Sequence, residues 1–388
     1  MPRRAEPGDF PALAPSLMLT RMEAPSLYDT SSDELYELTE EAFELLRRCD
    51  GSYTLEELAL PSELLDYCVK EGLLDIDLHP RARQITLFRN EVPSLRYLMV
   101  EITDRCNLRC RHCYLGDAGK RDMDAGLFHD AACAFAEMGG LRLIVTGGEP
   151  LLHPDFERFN AEVAGLPCRA VLATNGTLLE PGLAGKLNFR EVQISLDGTH
   201  ASHDDLRGDG SFEKALEGCE AVREAGLDLS IATVIHSRNL RDLQELEAVV
   251  RELGAVAWAL DIPVEAGRLA ANPGFLPDLN EAVPYLDLSF GAGVHEQRGG
   301  SGCGTHLACV DVGGSLLKCG YYRELSGGPA LPNLRRAWRS VPLTGIPPAC
   351  SDCEFVADCC GGCRYRAERL GGQGSRDLVR CLQFGLQA

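Results

Sequence analysis

No run of this 388-residue chain reaches about 18 uninterrupted apolar residues, the length a helix needs to cross a bilayer. No membrane-spanning segment is expected. The opening stretch, MPRRAEPGDFPALAPSLMLTR, has two early arginines and an apolar part broken by Pro11 and Pro15, so it does not read as a secretory signal. Positive charge is scarce: 38 Lys and Arg stand against 58 Asp and Glu, a formal net charge of -20. That field repels polyanions, which removes nucleic acid from the expected partners. Internal repeats and low-complexity tracts are missing. Cysteine is nearly absent before residue 100, where only Cys49 and Cys68 occur, yet the chain has 17 cysteines and nine lie from Cys303 to Cys381. A disulfide scaffold would be shorter and secreted. Thiols clustered in this way indicate metal sites in a reducing compartment, and a cytoplasmic location is expected.

The length suits two or three domains. Residues 1–92 read as a small helical unit. Thr39 is placed to cap a helix with Glu40 and Glu41 in its first turn and an apolar stripe of Ala42, Phe43, Leu46 and Cys49. Thr54 and Glu57 have the spacing of a capping box, and a third helix runs from about Ser62 to Glu71. From residue 97 the texture changes. YLMVEI, LRLIVT, RAVLAT, VQISL, LSIATVI and AWALDI are β-type runs separated by helical segments such as 125–138, 212–225 and 240–253. That alternation predicts an α/β fold, six βαβ units curling into a partial (β/α)6 TIM-type barrel over residues 93–290. Residues 291–388 begin glycine-rich, have a thin apolar content and hold many cysteines, as expected of a segment held together by metal.

CNLRCRHCY places Cys106, Cys110 and Cys113 at C-x3-C-x2-C just after the first of these strands. Structural zinc takes four protein ligands, often as two C-x2-C pairs. Three thiolates suit a [4Fe-4S] cluster whose fourth iron is open to a substrate or cofactor. A zinc loop is the competing reading.

The same stretch resembles the signature of the radical S-adenosylmethionine (SAM) superfamily. TGGEP (146–150), LATNG (172–176), ISLDG (194–198) and HDDLRGDGSF (203–212) follow in that family's order, each of the first three at the C-terminal end of a predicted strand, where barrel folds build active sites. The resemblance implies reductive cleavage of SAM to a 5′-deoxyadenosyl radical. It implies that Gly147 and Gly148 allow close backbone approach to the ligand, that Glu149 receives the SAM ammonium, and that Ser195 and Arg207 meet its ribose or carboxylate. Tyr114 would pack on adenine, with Asn175 and Asp197 on the same rim. An external reductant such as flavodoxin or ferredoxin is implied as a partner.

The C-terminal thiols closely resemble the SPASM domain of radical SAM maturases, including Gly314 five residues before Cys319. By that resemblance Cys303, Cys309, Cys319 and Cys363 bind one auxiliary [4Fe-4S] cluster, and Cys350, Cys353, Cys359 and Cys381 a second. Cys360, beside Cys359, is an alternative ligand, and two zinc sites are an alternative occupancy. Cys49, Cys68, Cys133, Cys168 and Cys219 are expected to be buried as small hydrophobes.

Residues 1–92 resemble the PqqD-type winged-helix domain that recognises leader peptides, which implies a precursor peptide or protein as substrate. The leading expectation is therefore an enzyme that crosslinks or oxidises a ribosomally made peptide. IPVEAGRLA (262–270) resembles the P-x-x-x-G-R stretch of haem-pathway SPASM enzymes, which makes a tetrapyrrole cofactor pathway the alternative; a non-catalytic iron–sulfur electron carrier is a third. Asp261 and Glu265, just beyond the sixth strand, are the candidates for a catalytic base.

Overall fold

A computed structural model describes residues 5–117, 119–291, 305–342 and 345–387. The chain divides into two units, residues 1–95 with 136–141, and residues 96–135 with 142–388.

In the first unit the expected helices are present. Glu40–Leu46 opens on Thr39, whose hydroxyl accepts from the Ala42 N–H at 3.1 Å. Leu55–Leu58 has the reciprocal Thr54–Glu57 cap, and a third helix spans Ser62–Lys70. The unit also contains six strands that the helical reading left out: β1 (Phe10–Leu13), β2 (Leu17–Arg21), β3 (Pro25–Asp29), β4 (Glu34–Glu37), β5 (Leu74–Asp77) and β6 (Leu87–Arg89). They form a β1–β5 ribbon and a four-stranded sheet in the order β4-β3-β2-β6. At three to five residues each, they are too short for an alternating pattern to show in the sequence. Leu19 and Leu27 of the sheet pack with Phe43, Leu46, Cys49, Leu58 and Cys68 in one core, so the two early cysteines are buried as expected.

The second unit carries all six predicted strands: β7 (Tyr97–Thr103), β8 (Arg142–Gly147), β9 (Arg169–Thr174), β10 (Glu191–Ser195), β11 (Asp228–Val234) and β12 (Ala257–Asp261). They pair in parallel and in chain order, as a partial barrel requires. Leu98, Val100, Leu143, Val145, Leu172, Val192, Ile194 and Ile231 are buried, which is why these runs are almost continuously apolar. The C-terminal segment continues the same sheet. Strand β13 (Leu307–Val310) lies parallel to β7, and β14 (Ser315–Leu317) and β15 (Ser326–Pro329) follow antiparallel. Cys168 and Cys219 are buried, but Cys133 is half-exposed, because it lies on the outer side of helix Ala125–Glu137.

The N-terminal ends of the strands hold a buried ion cluster. Arg142 Nη2 donates to both Glu191 oxygens at 2.8 Å, Arg169 Nε donates to Glu191 at 2.9 Å, and Arg169 Nη2 reaches Asp228 at 2.7 Å. One charged residue from the start of each of four successive strands is thereby tied together. Burial pushes the Glu191 carboxyl up, but Arg142 and Arg169 outweigh it and hold it below its ordinary value. Glu191→Ala removes the charge that two buried guanidinium groups share and is expected to cost about 3–5 kcal/mol, read from urea denaturation. The depressed folded-state pKa makes the Glu191 contribution complete above the ordinary carboxylate range and lost as pH falls through the folded value. The acid side of the stability curve should therefore be shallower in Glu191→Gln; an unchanged curve would reject this role.

Candidate active site

The three-thiol loop leaves β7 after Thr103 and returns at Asp122. Its base is zipped: Asp104 N–H donates to Arg121 O at 2.9 Å, Thr103 Oγ1 to Asp122 at 2.6 Å, and Arg121 Nε to Asp104 at 2.7 Å. Within the loop Cys106 is exposed, Cys110 buried and Cys113 half-buried.

Four other segments hold this loop. From β8, Gly148 N–H donates to Thr103 O at 2.8 Å and Glu149 N–H to Arg105 O at 2.7 Å. A Cβ on Gly148 would stand 2.3 Å from Arg105 O, closer than any side chain is tolerated. Gly147, at φ +146, is equally tight against Thr103. The close approach these glycines permit is thus to the backbone that introduces the cysteines. From the end of β9, Asn175 Nδ2 donates to Asn107 Oδ1 at 2.9 Å, and Asn107 Nδ2 to Thr177 Oγ1 at 2.8 Å. From helix His200–Arg207, Leu206 O accepts from Arg111 N–H at 2.8 Å. Beyond β12, Arg268 N–H donates to Cys113 O at 2.9 Å, and a Cβ on Gly267, at φ +52, would stand 2.3 Å from the same oxygen. The Gly-Arg pair is therefore a clamp on the third cysteine. Asn107 and Arg268 were not among the candidate residues; the Gly-Arg dipeptide was the one visible signal for the second.

The charges around the loop are mostly buried. Glu149 is fully buried and accepts from Thr174 Oγ1 at 2.8 Å, Asn175 N–H at 2.9 Å and Leu151 N–H at 3.2 Å. Burial raises its pKa, and among the described residues no ion pair is recorded for it. Asp197 is fully buried, accepts from Val234 N–H at 2.7 Å and pairs with Arg207 Nε. Burial pushes the Asp197 carboxyl up, but Arg207, His112 and His203 hold it far below its ordinary value. Arg207 also lies close enough to Cys110 and Cys106 for thiolates there to favour its charge. Ser195 is half-buried at the end of β10. A cavity of about 750 Å³ opens beside the loop, with Arg109, Arg111 and Arg207 in its lining.

Tyr114 and Asp261 face the C-terminal segment. Tyr114 donates to Glu101 at 3.2 Å, and its ring packs on Tyr321 at 4.7 Å; Arg323 holds the same Glu101 with both oxygens at 2.5 and 2.6 Å. Asp261 accepts from Arg366 at 2.8 Å, and Arg366 is bound twice more by Asp377 at 2.9 Å. Its carboxylate is engaged in an ion network, while Glu265 is exposed. Cys309 is buried in β13, Cys319 Sγ accepts from Tyr322 N–H at 3.3 Å, and Cys363 Sγ accepts from Arg366 N–H at 3.5 Å. Cys359 lies close enough to Cys350 and Cys381 to disfavour their ionisation, as Cys350 does that of Cys381. Cys360, in a left-handed conformation at φ +48, turns its thiol to Ala357 O. Cys303 lies outside the described residues.

The loop fits an iron–sulfur cluster with a bound cosubstrate. Three thiols sit on one backbone-clamped loop beside the Arg207 cation. Two buried nitrogens next to them, His112 Nδ1 and Arg268 Nη1, have no hydrogen-bond partner among the described residues. Among the described residues no three Cys, His, Asp or Glu side chains converge as a single-ion site would need; a four-iron cluster instead takes each thiolate at its own iron.

Fold and site together define a barrel enzyme built around an iron–sulfur loop. The model of the radical SAM superfamily matches residues 100–250. The AdoMet-dependent heme synthase of Methanosarcina barkeri is 30% identical over 341 residues, 74% of this chain and 96% of that protein. The Fe-coproporphyrin III synthase of the same organism is 32% identical over 343 residues, 72% and 86% of the two chains. Among solved structures, Streptococcus suis SuiB bound to its precursor peptide SuiA superposes with a TM-score of 0.71 at 15% identity, over 95% of this chain and 99% of that one, a likeness of fold. The chain belongs to the radical SAM superfamily, whose members bind SAM and a [4Fe-4S] cluster. The expectation of a peptide-modifying enzyme is corrected by these comparisons: several of the most similar relatives, at 27–33% identity, carry haem-pathway names. Among the described residues no helix is long and apolar enough to cross a membrane.

Replacing Cys106, Cys110 and Cys113 together with alanine is expected to abolish 5′-deoxyadenosine formation from SAM. Glu149→Ala should weaken SAM binding by about 1.5–3 kcal/mol, the worth of a hydrogen bond to a charged group, measured by titration calorimetry. Unimpaired SAM cleavage by the triple variant would sink the assignment of the loop.

Proposed function

We propose that this chain is a radical SAM enzyme of a tetrapyrrole cofactor pathway, acting on an iron porphyrin that bears propionate groups. The similarity to haem-pathway enzymes over nearly their whole length carries the proposal. The loop's own charge supports it. Between Arg105 and Arg121 there are five basic residues and one acidic one, in a chain of net charge -20. A propionate-rich macrocycle needs such a local cationic patch to overcome the repulsion of the whole. Arg268 Nη1, buried beside the cysteine loop without a partner among the described residues, is suited to a propionate oxygen, since guanidinium recognises carboxylate with directed N–H bonds.

In this reading Cys106, Cys110 and Cys113 hold the reactive cluster, and Glu149 receives the ammonium of SAM. When bound, cluster and SAM supply the 5′-deoxyadenosyl radical. The protein orients the substrate, excludes water and keeps Arg207 charged beside the thiolates. Cys303, Cys309, Cys319 and Cys363 hold one auxiliary cluster, and Cys350, Cys353, Cys359 and Cys381 the other.

Three four-iron clusters imply about 12 iron per chain after anaerobic reconstitution, falling to about 8 in the triple cysteine variant. Two or more zinc ions per chain with little iron would overturn the auxiliary clusters. The function is tested with reduced, reconstituted enzyme, SAM and iron-coproporphyrin III. The macrocycle should lose mass in step with 5′-deoxyadenosine release. Arg268→Ala should raise the KM for the porphyrin roughly 10- to 150-fold, the equivalent of a charge-assisted hydrogen bond, and leave the affinity for SAM unchanged. If iron-coproporphyrin and related porphyrins neither bind nor change, the proposal fails.

A further inference from the structure

Helix Ala125–Glu137 carries His129 and Cys133 one turn apart, and helix Phe156–Val163 sets Glu162 against them. The imidazole Nδ1 of His129 is bonded to Glu162 Oε2. The Cys133 sulfur lies 3.8 Å from Nε2 and 4.0 Å from Nδ1 of the same ring. None of the three belongs to the cysteine loop or to the C-terminal thiol sets. His129 is exposed and the other two are half-buried, so reagents in solution reach the group.

The chemistry of this trio differs from that of every other isolated cysteine. Burial pushes the thiols of Cys49, Cys168 and Cys219 up to about 12 and that of Cys68 to about 11, which makes them inert. At Cys133 the neighbouring ring is held by a carboxylate, and hydrogen bonding to Glu162 raises the His129 pKa. The other charges facing the ring are Asp130 on its own helix, which favours the imidazolium, and Arg158 on the second helix, which opposes it and lies 3.8 Å from Glu162. A sulfur alongside a carboxylate-anchored imidazolium is an environment that favours thiolate, in the nucleophile–base–orienter order of activated cysteines.

We propose that Cys133, His129 and Glu162 form a reactive-thiol site that takes up small disulfides as mixed disulfides, separate from the radical chemistry. The Cys133 thiolate attacks one sulfur of the disulfide. The new S–S bond forms as the old one breaks, the departing thiolate takes its proton from His129, and the small disulfide is the sole oxidant.

The test uses the reconstituted holoenzyme under anaerobic conditions, with oxidised glutathione and 4,4′-dithiodipyridine as probes and peptide mapping by mass spectrometry. Cys133 should be modified at pH 7 at least ten times faster than Cys49, Cys68, Cys168 or Cys219, with a rate midpoint below the ordinary thiol value of about 8.5. His129→Gln and Glu162→Gln should each move that midpoint up and slow modification at pH 7 about tenfold. Cys133→Ser should remove the adduct and still cleave SAM. A midpoint at the ordinary thiol value in the unaltered enzyme, or one that neither variant moves, would overturn the proposal.

Discussion

Two backbone hydrogen bonds, from Gly148 N–H to Thr103 O and from Glu149 N–H to Arg105 O, set the terms for the whole catalytic face. They stitch the end of one parallel strand to the exit of its neighbour, at a spacing that leaves no volume for a Cβ. The cysteine loop is consequently an extension of the sheet. Its first cysteine follows directly on a carbonyl whose position the barrel dictates. The Gly267–Arg268 clamp does the same at the third cysteine from beyond β12. The cluster cradle is thus fixed by main chain near its first and third cysteines, and the side-chain bonds of Asn107, Asp104 and Asp122 add to that frame.

The two ends of the barrel use buried charge differently. At the N-terminal end Glu191 is matched by two guanidinium groups and lies below its ordinary pKa; opposite charges are balanced there and serve stability. At the other end Glu149 is buried with neutral donors and lies above its ordinary value. Desolvating a carboxylate without a counterion is unfavourable, and such sites cluster where function demands them. Parallel barrels generally keep stability at the N-terminal face and active sites at the C-terminal face.

The barrel was legible because its strands, buried on both sides, are continuous apolar runs that no helix period explains. The six short strands of the first unit were not legible, since runs of three to five residues carry no period. The site was legible as residue types in order, though not as partnerships. Nothing in the string predicts that Arg207 spends a hydrogen bond on Asp197, that Asp261 is held by Arg366 across 105 positions, or that Asn107 and Asn175 face each other. Cys133 reads as a buried hydrophobe because helical context gives no view of which side faces outward. The substrate class is not legible in the helices of the first unit, and the contact of the Gly-Arg stretch with Cys113 is visible only in the folded chain.

Strand β13 bears on how the protein is made. It pairs with β7 across about 200 residues of intervening chain, while β7's other neighbour, β8, follows within 40 residues. During synthesis the barrel can zip from β7 to β12 before β13 leaves the ribosome. Throughout that interval β7 has a bare edge rich in apolar residues, the kind of edge that recruits stray strands. Loop closure over such a span is entropically costly and slow. The segment that brings Cys309 to the barrel is thus also the cover of the β7 edge.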